Sequence, residues 1–262
     1  MTQPEQDAEP SFTLGPWEEL APSVWRTVAE PDAVNLVLVA GRERALLVDT
    51  GSSVEQGRAL RAAVAGVSGV PLEVVVVTHP HRDHVRGLGA FDDLTTVAHE
   101  DVAGVNRPIV LAAAFDLGGR RVEVAHVGRG HTAADLVVVV PDADLVVVGD
   151  LVESAAPPSL GPDSFLHEWP VTLDSIIGLM TGATRAVPGH GDPVERPYVY
   201  EQRGRLAGIA TELRRLAESG VAVDDVAEQG SWAYPLETLA PGLDVAYAQL
   251  GPVAPRRTLP LA

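Results

Sequence analysis

The chain has 262 residues, 46% of them hydrophobic, and its 36 acidic and 19 basic side chains give a formal charge of −17. It has no cysteine and every basic residue is arginine, which excludes disulfides, thiolate ligands, cysteine nucleophiles and Schiff-base chemistry on lysine. So acidic a surface repels phosphate backbones, so nucleic acid is not an expected partner.

Residues 1–11 are polar and proline-containing and are expected to form a flexible N-terminus. The opening "MTQPEQDAEP" has neither the basic nor the apolar region of a secretory signal, and the apolar runs are too short for a membrane span. The expectation is a soluble cytoplasmic protein with no membrane partner. No linker interrupts residues 12–262, which are read as one domain whose residues 195–262 form a mainly helical extension.

From Asn35 the pattern becomes that of strands: "NLVLVAGRERALLVDTG" reads as strand, turn at Ala40–Arg44, strand. A helix is expected over Val54–Ala65, capped by Ser52 or Ser53. The strand "EVVVVT" follows and runs into "HPHRDH" (His79–His84), three histidines and an aspartate in six positions. A second hairpin, "DLVVVVPDADLVVVGD" (Asp135–Asp150), resembles the first at a shift of 100 residues, with Leu36–Val39 falling on Leu136–Val139 and Ala45–Val48 on Leu145–Val148. The run "DLVVVV" is apolar at nearly every position, as in a strand covered on both faces. Leu151–Pro170 reads as loop, and "VTLDSIIGLM" as a helix starting near Pro170 or Thr172. Glu195–Ser219 reads as a longer amphipathic helix with Leu206, Ile209, Leu213 and Leu216 on its core face. Two halves, each a hairpin, a helix and a strand ending in histidine (His79 and His190), predict an α/β chain with sheet stacked on sheet and helices outside.

Residues two apart in an extended segment project to the same side, so His79 and His81 can grip one ion, while Asp83 and His84, past the bend, can face a second. His131 in "VGRGHT", Asp150 in "LVVVGD" and His190 in "VPGH" are further strand-end residues beside glycines that allow close backbone approach. Five histidines and two aspartates suffice for two ions with a position open to water. Imidazole and carboxylate suit zinc, and also iron or manganese.

The series "HPHRDH", "GHT", "GD" and "PGH" resembles the metallo-β-lactamase superfamily. The resemblance covers roughly Phe12–Pro193 and implies a four-layer αββα sandwich with a metal site along one edge. It implies that His79, His81 and His131 bind one divalent cation, that Asp83, His84 and His190 bind the other, and that Asp150 bridges them. Asp49 in "LLVDTG" resembles the family's structural aspartate, and His167 and Trp169 lie where relatives shape their substrate pocket. His99 and His126 are read as structural. The implied activity is a binuclear, zinc-dependent hydrolase in which a hydroxide between the cations attacks a small ester, thioester, lactone or related acyl group, with Asp83 handling a proton.

Departures from the family pattern narrow this reading. The commonest lactamase subclass carries cysteine where Asp150 stands, which tilts the resemblance toward glyoxalase II-like or lactonase-like hydrolases. Arg256 and Arg257 are the only basic residues of the tail, few for holding a glutathione carboxylate. Arg86 and Arg129 replace residues that are usually smaller or proline, and can draw an anionic substrate to the pocket mouth. Persulfide dioxygenases, which resemble the same fold and use one iron, and genuine β-lactamases are the alternatives. Substrate identity and oligomeric state are not expressed in the sequence.

Overall fold

The computed structural model describes residues 12–252. The expected flexible segment 1–11 and the arginines at 256 and 257 lie outside the described residues. Runs of β-branched residues form two sheets. The first holds β1 (Thr13–Leu14), β2 (Glu18–Ala21), β3 (Val24–Glu30), β4 (Val34–Ala40), β5 (Ala45–Val48), β6 (Leu72–Val76), β7 (Thr95–His99) and β8 (Arg107–Ile109), in the order β1-β3-β4-β5-β6-β7-β8 with β2 beside β3. The second holds β9 (Ala112–Asp116), β10 (Arg121–Ala125), β11 (Val137–Val140), β12 (Leu145–Gly149), β13 (Arg185–Pro188) and β14 (Val194–Glu195), ordered β14-β13-β12-β11-β10-β9. The helices are α1 (Val54–Ala65), α2 (Arg82–Val85), α3 (Trp169–Leu179), α4 (Arg196–Glu218), α5 (Val226–Gln229) and α6 (Leu236–Ala248).

The period of two along each strand sorts side chains into layers. Val37, Val39, Leu46 and Val48 of the first sheet meet Val138, Val140, Leu145 and Val147 of the second in one buried cluster. Their neighbours Leu36, Leu38 and Leu47 turn outward against Leu60 and Val64 of α1. On the far side, Val137, Val146 and Val148 turn toward Leu173 and Ile176 of α3 and Leu206 and Ile209 of α4. Helix, sheet, sheet, helix is therefore the layer order, and the αββα expectation holds. Each fully buried Val or Leu contributes about 1.5–3 kcal/mol of burial.

The two halves share one connection. In the first, hairpin β4–β5 is followed by α1 and by β6 parallel to β5; in the second, hairpin β11–β12 is followed by α3 and by β13 parallel to β12. The Ser53 hydroxyl caps α1 by accepting from the Gln56 N–H, while Ser52 donates to Asp32. Helix α3 begins at Trp169, with Pro170 in its first turn where its missing N–H costs nothing. The C-terminal helices share the second sheet's core: Leu239, Leu243 and Ala246 of α6 pack in the same cluster as α3. Among the described residues no helix is long and apolar enough to cross a membrane.

Candidate metal centre

Strand β6 delivers His79 to its end, buried at 1% exposure. His81 sits at the cap of α2 in extended backbone (φ −66°, ψ 149°), and the first turn of α2 carries Asp83 and His84, the His84 ring 4.1 Å from that of His79. The second half supplies His131 from the loop before β11, Asp150 immediately after β12 and His190 shortly after β13. These residues meet in two groups: His79, His81, His131 and Asp150, and Asp83, His84 and His190, each able to bring one ligand atom per residue within 4.8 Å of the others.

Asp150 stands between the groups. Its Oδ2 lies 3.6 Å from His79 Nε2, 3.4 Å from His131 Nε2 and 3.6 Å from His190 Nε2, and its Oδ1 lies 3.2 Å from His84 Nε2. His81 Nδ1 is 2.8 Å from His131 Nε2, and Asp83 Oδ2 is 3.3 Å from His190 Nε2. Gly189 makes this approach feasible, because a Cβ there would sit 1.7 Å from Asp150 Oδ1. Gly149, at φ +52°, packs its backbone against Thr78 in the same way.

A surrounding layer orients these side chains. Asp49, buried at the end of β5, accepts from the Thr78 N–H (2.7 Å), the Thr78 hydroxyl (2.9 Å) and His84 Nδ1 (2.8 Å), which turns His84 Nε2 toward the centre. Asp163 does the same for His81 through its Nε2 at 2.9 Å. Asn35 of β4 donates to the carbonyls of Pro188 and Gly191 and so ties the His190 loop to the first sheet. The loop bearing His131 is closed by Asp135, which accepts from the Thr132 N–H and hydroxyl.

Burial and charge divide the histidines. Burial holds His79 far below the ordinary imidazole range and brings His131 down to about 4, so both are neutral donors of a lone pair. For His84, burial is outweighed by the charges of Asp150 and Asp49, which carry it well above that range. For His190, burial likewise yields to the hydrogen bonds of Asp150 and Asp83, which carry it up to about 10. Asp150 itself, despite burial, is held well below the carboxylate range by His84 and His79.

The fit to metal ions rests on unpartnered atoms. His79 Nε2, His84 Nε2, His131 Nδ1 and Asp150 Oδ1 are buried and make no hydrogen bond, although His84 Nε2 and Asp150 Oδ1 lie 3.2 Å apart. Leaving a buried polar atom unpaired costs about 1–3 kcal/mol, and here four such atoms belong to residues of one cluster. A set of imidazoles and carboxylates without thiolate suits zinc, iron or manganese. The residues present therefore fit divalent cations.

A sequence model described as the metallo-beta-lactamase superfamily matches residues 29–104 and 98–190. The chain belongs to the metallo-β-lactamase superfamily. It is 28% identical over 130 residues to the metallo-beta-lactamase type 2 of Bacillus sp. (strain 170), covering 45% of this chain and 51% of that one. It is 25% identical over 171 residues to the metallo-beta-lactamase type 2 of Bacteroides fragilis, covering 60% and 69%. The chain thus spans about half the length of its Bacillus relative. A metallo-beta-lactamase structure from Pontibacter korlensis superposes with a TM-score of 0.67 at 24% identity, over 74% of this chain and 99% of that one, a likeness of fold alone. The superfamily match ends at His190, so it contains all seven cluster residues and leaves α4–α6 outside.

Of the other residues singled out in the sequence, Asp49 and Trp169 touch the cluster, and Arg86, Arg129 and His167 lie apart from it. Arg129 is paired with Glu168 at 2.5 Å and stacks 4.3 Å over the Phe165 ring. Arg86 is exposed, after α2, and forms no ion pair among the described residues. Neither arginine lines the cleft of about 410 Å³ above the cluster, which is lined by His81, Asp83, His131, Asp150 and His190 together with Asp32, Ala33, Glu153 and the Ala155–Pro157 turn. His167 is a tie between layers, its Nε2 bonding the Ala246 carbonyl of α6. Trp169 is fully buried, donates to the Leu151 carbonyl and packs edge-on to His131, so it backs that imidazole and does not line the cleft. His99, at the end of β7, and His126, just past β10, pack against each other.

Thr78, Asp163, Asn35 and Glu153 also border the cluster, and no motif marks them in the sequence. Thr78 adjoins His79, so only its place beside the first histidine is legible from the chain. Asp163 and Glu153 lie in an irregular loop whose pattern carries no signal.

Proposed function

We propose that the chain is a binuclear metal-dependent hydrolase of small acyl compounds: an ester, thioester, lactone or related bond. The observation that carries this is the convergence of two ligand groups on Asp150, with buried nitrogens and an oxygen that no protein group satisfies. His79, His81 and His131 would hold one ion, Asp83, His84 and His190 the other, and Asp150 would stand between, with zinc favoured by the imidazole share. Bound there, two divalent cations supply Lewis acidity for an acyl oxygen and acidify water.

The chain's own groups do the rest. The cleft, at about 410 Å³, suits a small molecule. Burial works against charge on Asp83, but His190 and His84 hold its carboxyl group below the usual range, so it is an ionised acceptor facing the cleft. Asp83 can take the proton released when water adds to the acyl carbon and hand it to the leaving group. Among the described residues no arginine lines the cleft, so an anionic substrate would gain nothing from Arg86 or Arg129, and neutral acyl compounds are the better first choice. Because the curated relatives are named β-lactamases, lactams belong among the compounds tried.

The test is a panel of esters, thioesters, lactones and lactams offered to protein whose metal content is measured. Two ions per chain and turnover of at least one class are expected, with Asp83→Ala lowering kcat about 10²–10⁴-fold. Fully loaded protein that hydrolyses none of them would refute the reading, and a single iron per chain would turn it toward oxidation.

A further inference from the structure

Glu153 lies three residues past Asp150 and is 6% exposed. Its backbone is held firmly by α4: the Glu153 N–H donates to Gln202 Oε1 (3.1 Å), its carbonyl accepts from the Tyr198 hydroxyl (2.7 Å), and Gln202 Nε2 donates to the Leu151 carbonyl (2.8 Å). Its carboxylate, by contrast, accepts no hydrogen bond and faces no arginine at ion-pair distance among the described residues. The residue is buried, but its carboxyl oxygens open on the cleft, where an ion or water can reach them. The Glu153 side chain lines the cleft. One ligand atom each from Glu153, Asp150 and His190 lie within 4.8 Å of one another.

We propose that Glu153 is an eighth ligand of the centre, a carboxylate added to the cation held by Asp83, His84 and His190. The proposal rests on the binuclear reading. It makes the two positions unlike: three imidazoles and Asp150 at one, two imidazoles and the carboxylates of Asp83, Asp150 and Glu153 at the other. An oxygen-rich position suits harder cations, such as manganese, better than the imidazole-rich one does. It also gives α4, which lies beyond the superfamily match, a role in the site, since its Tyr198 and Gln202 hold the turn that carries Glu153.

Metal-stripped wild type, Glu153→Gln and Glu153→Asp are titrated with Co²⁺, followed by visible absorption, and with Zn²⁺, followed by calorimetry. Glu153→Gln keeps the shape and removes the charge; Glu153→Asp keeps the charge and withdraws it by one methylene. Matching far-UV spectra and melts of the stripped proteins establish that each is folded. Wild type is expected to take up two ions, and both variants to lose affinity at one position by about 10–100-fold, with altered Co²⁺ bands for that ion and unchanged bands for the other. Both variants matching wild type in affinity and spectrum overturns the proposal. So does Glu153→Asp matching wild type while Glu153→Gln weakens, because charge alone would then suffice. A wild type that takes up one ion defeats the binuclear reading instead; Glu153 then remains a ligand only if both variants weaken that ion.

Discussion

His84 can offer Nε2 to an ion only if Nδ1 carries the proton, and Asp49 is what holds it there. Asp49 accepts from Thr78 twice and from His84 once, at a left-handed φ of 64° that aspartate tolerates better than most residues. Asn in its place keeps the volume but offers one oxygen where two now serve these donors, and presents an amide to one of them. Asp49→Asn is therefore expected to weaken metal binding about 10–100-fold and to lower stability by about 1–3 kcal/mol, read by zinc titration and by denaturant melts. Unchanged affinity would reduce Asp49 to a turn carboxylate. Its partner role was open to sequence reading only through the family resemblance. Asp163, 82 positions from His81, had no such pointer, because nothing local says which face of an irregular loop will meet the cap of α2.

Elements differ in how far the sequence discloses them. The hairpin strands, α1, α3 and α4 follow from valine runs, caps and a period near 3.6, and their observed bounds fall within one or two residues of the expected ones. The β9 sequence "AAAFD" and the two-residue β1 and β14 carry no alternation, and they exist because a neighbouring edge strand needs its backbone groups paired. Helix α6 contains Pro241, which argues against a helix from local rules and is overridden by burial of Leu239 and Leu243. In the connection that follows β13, the decisive feature is a missing side chain. Gly189 has no positive φ, so alanine fits its backbone, but the added Cβ falls 1.7 Å from Asp150 Oδ1. Gly189→Ala should fold with an unchanged far-UV spectrum and displace Asp150. An overpacking cost of about 1–3 kcal/mol corresponds to a loss of about 5–150-fold in metal affinity, measured by competition with a chelating dye. Wild-type affinity in a folded Gly189→Ala would mean that Asp150 is not fixed by this close approach.

At the scale of the molecule, the centre joins the two halves of the fold. His79, His81, Asp83 and His84 come from the first half, and His131, Asp150 and His190 from the second, where the ends of β6, β12 and β13 meet. Across the interior the sheets are held by apolar contact; at this edge they carry carboxylates, imidazoles and buried polar atoms without hydrogen bonds, which an ion would satisfy. Binding to the folded state alone stabilises by about 4 kcal/mol at a thousandfold excess over Kd, and a domain of this size gains about 2–4 °C per kcal/mol. Chelator treatment should therefore lower the Tm by about 10 °C. The pH dependence has a definite sign. In the protein alone, Asp150 and Asp83 carry His190 up to about 10 despite its burial, so an ion must displace a proton from it at neutral pH. Lower pH strengthens that competition and also protonates the other imidazoles as they are released. The Tm difference between metal-loaded and chelator-treated protein is thus expected to shrink steadily from pH 8 to pH 5.5, with protons released on zinc uptake detectable as a buffer-dependent heat in calorimetry. A difference independent of pH would mean that the stabilising ion sits on groups that do not titrate in this range, and not on the histidines that bridge the two sheets.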